Sequence, residues 1–489
     1  MSSSRALNLI CICLDTFRFD IVGEGKNLSF VKTPNLDALV SESVVFDQAF
    51  GEGQPTLQMR RAFFTGRRSF PWRYTFDRRG VAPVIGGWHK IPPEQETLAE
   101  ILLRHGYMTG LISSTYHMFK PTMNFTRGFV NYEFIRGQEA DMWRGGSPKM
   151  VEAEIKKYVR QPVDWLRNWV LVQYLLNVRD RKVEEDYFCA QVFLRGERWL
   201  EENMENQPFF LWLDSFDPHE PWDPPRRYAD HYCPNYRGID FIHPTASGVG
   251  SASDTAPEEQ ERIKALYFGE VSFVDKWVGH FLMKVDELGL RDDSIIMFLS
   301  DHGVQLLEHG RFGKDSRALH PYNTQINWAI RHPEGPKGKH VKAFVQSHDV
   351  MPTALSLLGI NYSLVDGENV WSLVIGERER IRDHVVIGWA SGPPAPWGRA
   401  SVRDEEWNYV TAIDRDDPNA ELYHLPSDPE EQANVISDYP DVVAKQRARL
   451  EAVLGQPLPA TLAEVCDWEH ARYPFYLFMK NRYGSSAQR

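Results

Sequence analysis

The chain has 489 residues, with 55 Lys and Arg against 67 Asp and Glu and a net charge of −12. Such a length buries a large core and suits about two or three domains. The acidic balance excludes a nucleic-acid-backbone binder as the primary role. A content of 42% hydrophobic and 25% charged residues excludes a disordered chain.

The first apolar run, Leu7–Leu14, is almost continuous in Leu, Ile and Cys, as expected for a strand buried on both faces. It lacks a small-residue cleavage site and leads directly into Asp15-Thr16-Phe17-Arg18, so it reads as a strand and not a signal peptide. Five scattered cysteines (Cys11, Cys13, Cys189, Cys233 and Cys466) lack metal spacing and read as reduced thiols of a cytoplasmic protein, with Cys11 and Cys13 on one strand face. Thr33-Pro34 opens a helix over Leu36–Ser43, and Val44–Phe50 returns as a strand. Next comes Gln54-Pro-Thr-Leu-Gln-Met-Arg-Arg-Ala-Phe-Phe-Thr-Gly-Arg67, which places the Thr56 hydroxyl four residues before Arg60 at a helix start. Taken alone, Pro55-Thr56 reads more readily as an ordinary helix N-cap than as a nucleophile.

Phe70–Tyr74 forms an aromatic loop, and Leu98–His105 an amphipathic helix closed by Gly106. The strand Tyr107–Ile112 ends in Ser113-Ser114-Thr115-Tyr116-His117. Residues 137–183 are charged and Trp-rich and read as an inserted helical segment bordering the substrate. Within it Trp165–Leu176 is too short to span a bilayer; it suits a packing or homo-oligomer surface, with membrane-surface contact as the lesser alternative. A helix over Glu184–Glu202 precedes the strand Pro208–Leu213, which ends in Asp214-Ser-Phe-Asp-Pro-His-Glu-Pro-Trp222. Pro225–Ser253 reads as loop, Glu258–Leu288 as a long helix, and Ser294–Leu299 as a strand ending in Ser300-Asp301-His302-Gly303. Strands at Ile326–Ile330 and Ala343–Gln346 and a helix over Pro352–Leu358 follow.

This alternation defines an α/β protein with a large central mixed, mostly parallel sheet flanked by helices, over residues 1–375. Short strands at Val385–Trp389, Trp407–Ile413 and Glu421–Leu425, with a helix over Val442–Leu454, make residues 376–489 a smaller α+β subdomain. Polar residues collect at the carboxyl ends of the long strands, where open α/β sheets bind ligands. Asp15, Asp301, His302, Ser114, His117 and His219 occupy such ends. Two carboxylates, an imidazole and a hydroxyl suit one divalent metal ion. Asp217, His320 and His348 are spare candidates for a second ion, although His348-Asp349 better suits a cap on the Pro352 helix.

Five segments resemble the sulfatase family of the alkaline phosphatase superfamily: Leu14–Asp20, Thr33–Leu39, Pro55–Arg67, Asp217–Trp222, and Ser300 through Lys314. The resemblance runs in family order over nearly the whole chain and implies an alkaline-phosphatase-like fold and hydrolysis of an ester at a tetrahedral oxyanion. It implies Asp15, Asp301 and His302 as metal ligands, with Thr56 at the nucleophile position and also on the metal. Arg60 matches the arginine that holds nucleophile and anion. Lys314 and His219 match the oxyanion contact and leaving-group acid, and His117 a histidine near the nucleophile.

Two departures matter. Sulfatases carry at the Thr56 position a cysteine that becomes formylglycine, a conversion threonine cannot undergo. Thr16 replaces a second aspartate and His302 the asparagine of many sulfatases, which shifts preference from calcium, still an option, toward manganese, zinc or iron. The resulting expectation is a metal-dependent hydrolase of phosphate-type esters or phosphonate monoesters acting on a small anionic substrate. The alternatives are a sulfuric ester hydrolase working without formylglycine and a non-catalytic sulfatase-like binding protein.

Overall fold

The computed structural model describes residues 6–23, 25–72, 87–314, 316–390, 398–461 and 474–484. Two expectations, Cys466 and the Arg73-Tyr74 end of the aromatic loop, lie outside the described residues.

Among those residues the strands are β1 (Asn8–Leu14), β2 (Val44–Phe50), β3 (Gly53–Gln54), β4 (Met108–Ser113), β5 (Asn131–Phe134), β6 (Phe209–Ser215) and β7 (Ser294–Ser300). They continue with β8 (Gln305–Leu306), β9 (Phe312–Gly313), β10 (Trp328–Arg331), β11 (Lys339–Gln346), β12 (Val385–Ala390), β13 (Gly398–Arg403), β14 (Trp407–Ala412) and β15 (Glu421–His424). The main sheet has eight strands in the order β11-β2-β10-β7-β1-β6-β4-β5. Only β10 runs against its neighbours; the other pairs are parallel. A second sheet, β15-β14-β13-β12-β3, is smaller.

The pleat of β1 explains why its residues are apolar throughout. Ile10, Ile12 and Leu14 enter the core on one face, whereas Leu9, Cys11 and Cys13 enter the core on the other. The long helix Pro257–Glu287 and the helix Phe188–Glu202 cover the first face. The helix Leu57–Thr65 covers the second with Leu57, Met59, Phe63 and Phe64, and Phe64 meets Trp212 edge-on at 4.8 Å. Truncating a fully buried side chain such as Trp212 to Ala would cost about 3–5 kcal/mol.

Several local expectations are corrected. Pro225–Ser253 is not all loop, because Arg226–Tyr232 is helical and lies against the long helix. The helix expected over Glu184–Glu202 begins only at Phe188, after a separate turn Glu184–Asp186. Of the two surfaces expected for the apolar stretch Trp165–Leu176, packing is the one observed: it forms the helix Trp169–Val178, whose Leu171, Val172, Tyr174, Leu175 and Leu176 are buried in the core. Thr33 makes no cap bond to the helix Pro34–Ser41; the Asp275 carboxylate accepts from Asn35 N and Leu36 N instead. Asp349 makes no cap bond to the helix Val350–Leu357 and pairs with Arg382. No helix among the described residues is long and apolar enough to cross a membrane.

Candidate active site at the strand ends

Register builds the floor of the site. Leu14 of β1 pairs with Ser215 of β6 on one side and Ser300 of β7 on the other, all parallel. The next residues, Asp15 and Asp301, therefore leave adjacent strands side by side. His302 follows directly, and its Nε2 lies 3.7 Å from Asp15 Oδ1 and 3.6 Å from Asp301 Oδ2. Thr16 turns the chain with φ 60°, its N–H donating to Asp301 Oδ1 at 3.0 Å and its hydroxyl to Asp15 Oδ1 at 2.8 Å.

The helix Leu57–Thr65 delivers the other components. Short β3 joins the second sheet beside β12 and hands the chain to Thr56, which has φ 45° and makes no side-chain cap bond. Thr56 thus occupies the cap position without doing a cap's work, in a backbone region that costs about 1–3 kcal/mol for a non-glycine residue. One turn later Arg60, fully buried, reaches over the strand ends. Its Nη1 lies 3.1 Å from Asp15 Oδ2 and 2.5 Å from Asp301 Oδ2, and also donates to the Thr56 carbonyl at 3.3 Å. Its Nε and Nη2 hold the two oxygens of Asp214 at 3.0 Å each, a fork-on-fork pair.

Three buried carboxylates around one guanidinium outnumber the cation that faces them, so they cannot all be ionised without cost. Burial, then Asp301, pushes the Asp15 carboxyl well above the usual carboxylate range. Burial opposes ionisation of Asp301 as well, but His302, Arg60 and the Thr16 N–H together hold its pKa below the usual value. His302 is pushed down to about 4, chiefly by burial, and its Nε2 has no hydrogen-bond partner. Ligand atoms of Asp15, Asp301 and His302 lie within 4.8 Å of one another. A neutral imidazole nitrogen and two carboxylates, in a group where carboxylates outnumber the guanidinium, fit a divalent cation.

A wall rises from the loops. His219 Nδ1 bonds the Glu220 carbonyl at 2.7 Å, which makes Nδ1 the protonated nitrogen of the neutral ring and leaves Nε2 for a ligand. Burial and then the Lys314 ammonium push His219 down to about 4. Lys314, just past β9, pairs with Glu220 at 2.5 Å. His117 sits in an aromatic group, 3.8 Å from the Tyr116 ring and 4.5 Å from Trp88, whose indole N–H bonds the Pro55 carbonyl at 3.0 Å. Trp389 of the second sheet lies 5.6 Å from the His302 ring.

The structure thus brings Asp15, Thr56, Arg60, Asp301 and His302 together, with Lys314 and His219 on the adjoining wall. The spare ligand candidates go elsewhere. Asp217 groups with Cys189 and Glu270, His320 pairs with Glu431 at 2.7 Å, and His348 lies beside Asp349. Sequence reasoning missed the role of Asp214, named only as part of a polar strand end. It also missed Glu139 and His243, which face each other at 3.8 Å. A carboxylate aligned with a buried arginine across the next strand was the available signal for Asp214; none existed for the other two.

A family model for sulfatases matches residues 7–360. The chain belongs to the sulfatase family. It is an ester hydrolase of that family, whose enzymes bind a divalent metal. Its arylsulfatase relative from Clostridium perfringens is 25% identical over 475 residues, covering 88% of this chain and 90% of the relative. The multifunctional alkaline phosphatase superfamily protein PehA of Trinickia caryophylli is 24% identical, covering 72% and 74%. In fold, this sulfatase-family chain is similar to the phosphonate monoester hydrolase of Agrobacterium radiobacter, with a TM-score of 0.68 at 20% identity over 92% of this chain and 95% of that one.

Proposed function

We propose that the chain is a metal-dependent hydrolase of phosphate-type esters or phosphonate monoesters, with Thr56 as nucleophile. One observation carries the reading: the residue at the helix start, whose carbonyl accepts from the same Arg60 Nη1 that pairs with Asp15 and Asp301, is a threonine, with no cap role and no route to formylglycine. Asp15, Asp301, His302 and Thr56 would hold the divalent ion, manganese, zinc or iron ahead of calcium. That ion would acidify the hydroxyl and neutralise charge on the ester.

The chain's own groups do the rest. The Thr56 hydroxyl, its proton lost to solvent, attacks phosphorus in line, and the P–O bond to the leaving oxygen breaks on the opposite side. Arg60 and Lys314 absorb charge on the equatorial oxygens. His219 is neutral in the free enzyme because burial and Lys314 disfavour its charged form. An anionic ester beside it offsets Lys314 and raises its proton affinity. His219 then gives the leaving oxygen a proton from Nε2 and later takes one from the water that hydrolyses the phosphothreonine. His117, within the aromatic group around Pro55, supports the nucleophile's loop.

A sulfuric ester hydrolase working without formylglycine is the second reading, favoured by the arylsulfatase relative. The test is a metal-reconstituted panel of aryl phosphate mono- and diesters, phosphonate monoesters and sulfate esters, run on wild type and Thr56→Ala. The expected result is preference for a phosphorus ester and a loss of about a thousandfold or more in Thr56→Ala. Sulfate esters turned over far faster than every phosphorus ester would overturn the substrate class. Unchanged rates in Thr56→Ala would remove the nucleophile.

A further inference from the structure

The charged insertion contributes one side chain to the wall, and its placement is built with care. After β5 the chain turns through Gly137 (φ 122°) and Glu139 (φ 43°). The turn is tied from both sides. Asp141 accepts from Gly137 N at 2.8 Å and from the Arg136 guanidinium at 2.7 Å. From the insertion's helix Trp169–Val178, Asn177 Nδ2 donates to the Gly137 carbonyl at 2.9 Å and the Asp141 carbonyl at 2.7 Å. Gln173 orients Asn177 through a 3.0 Å bond. A non-glycine residue held in the left-handed region by this much surrounding structure marks a side chain whose direction matters.

That direction is toward the leaving-group side. Glu139 Oε2 accepts from the Tyr116 hydroxyl at 2.6 Å. The Tyr116 ring is 5.8 Å from Phe216, which stacks on His219 at 4.1 Å. The second oxygen, Oε1, lies 3.8 Å from His243 Nε2, too long for a hydrogen bond. His243 Nδ1 accepts from Ala246 N, so the neutral ring carries its proton on Nε2, toward Glu139. The same loop places Thr245 beside Gly313, next to Lys314. Despite burial, His243, His219 and Tyr116 hold Glu139 ionised, its pKa lowered to about 2.

An ionised carboxylate beside a site for an anionic ester repels the ester group. It favours binding only where it meets a part of the substrate that donates hydrogen bonds. We infer that Glu139, held by the insertion, is a specificity-determining residue that accepts hydrogen bonds from a leaving group bearing hydroxyl or ammonium donors. The inference rests on the ester-hydrolase reading of the site but not on which ester is cleaved.

The experiment uses meta-substituted phenyl esters carrying aminomethyl, hydroxymethyl, methyl or carboxylate groups, on whichever ester class the enzyme turns over. Wild type should prefer aminomethyl or hydroxymethyl over methyl by about tenfold in kcat/KM, with carboxylate last. In Glu139→Ala the donor-to-methyl ratio should fall to about one. Glu139→Gln separates the donors: a hydroxyl preference survives in part, whereas an ammonium preference disappears. Calorimetric binding of the free phenols to wild type and variants reads the same preference without turnover, so failure of the ester panel leaves this test intact. Equal losses on all four esters would assign Glu139 a purely structural role, and a wild type blind to the substituents would overturn the inference.

Discussion

The floor and the wall of the site are built by different means. The floor, comprising Asp15, Asp214, Asp301, His302 and Arg60, is wholly buried and set by the register of three parallel strands and one helix. The wall, comprising His219, Lys314, Glu139 and His243, is part-exposed and assembled from segments outside the ladders of the main sheet. A floor held by backbone pairing suits chemistry common to a family. A wall of loops changes without disturbing the sheet, and that is where discrimination between leaving groups belongs.

Breaking the floor gives the largest expected effect. Asp301→Ala removes a proposed metal ligand and leaves Arg60 and His302 buried with fewer partners. Metal content after reconstitution, read by mass spectrometry, should fall well below one ion per chain, and kcat/KM should drop by about a thousandfold or more. Full metal occupancy in this variant would separate Asp301 from the ion.

The chain on either side of Lys314, at His309 and His320, is tied to one buried carboxylate, Glu431, that follows the second sheet. Glu431 accepts from His320 Nδ1 at 2.7 Å and from Asn408 Nδ2 at 2.8 Å, pairs with Arg403, and offers its carbonyl to His309 Nε2 at 2.9 Å. Burial opposes its charge, but Arg403 and His320 prevail and lower its pKa from 4.5 to about 2. A depressed carboxylate contributes stability that is fully present above the unfolded value and lost as pH falls through the folded one. The contribution is roughly 3 kcal/mol, lost between about pH 4.5 and 2. Glu431→Gln should therefore melt lower than wild type at pH 7, with the gap closing on acidification across that window. A constant gap would remove Glu431 as the source.

How much of this was legible in the sequence follows the same division. The strands β1, β6 and β7 stand out because burial on both faces demands unbroken apolar runs, and their polar ends identify Asp15, Asp301 and His302. Register, however, is a property of pairs of strands and cannot be read from either one. The short strands β3, β5, β8 and β9 escaped because two to four residues carry little periodicity, and β13 because Gly398, Arg399, Ser401 and Arg403 break its apolar pattern. Glu139 and His243 lie 104 positions apart by number, and only the folded insertion and the loop after Ile242 bring them together. Thr56 shows the limit from the other side. Its sequence context is that of a cap, and only φ 45° with no cap bond sets that role aside.

Asp214 offers the smallest expected effect and the finest test of the division. It fixes the Arg60 guanidinium in a plane through two bonds at 3.0 Å, and Thr115 Oγ1 and Trp212 Nε1 bond the carboxylate in turn. Asp214→Asn keeps the shape and removes the charge, so one arm of the fork then meets an amide N–H. Arg60 would keep Asp15 and Asp301 as partners while losing its fixed orientation. The expected result is a fall of about 10- to 100-fold in kcat with metal content unchanged. A loss of metal as large as that of Asp301→Ala would make Asp214 part of the electrostatic balance of the ion site rather than a positioning group for Arg60, and the floor would then act as one indivisible unit.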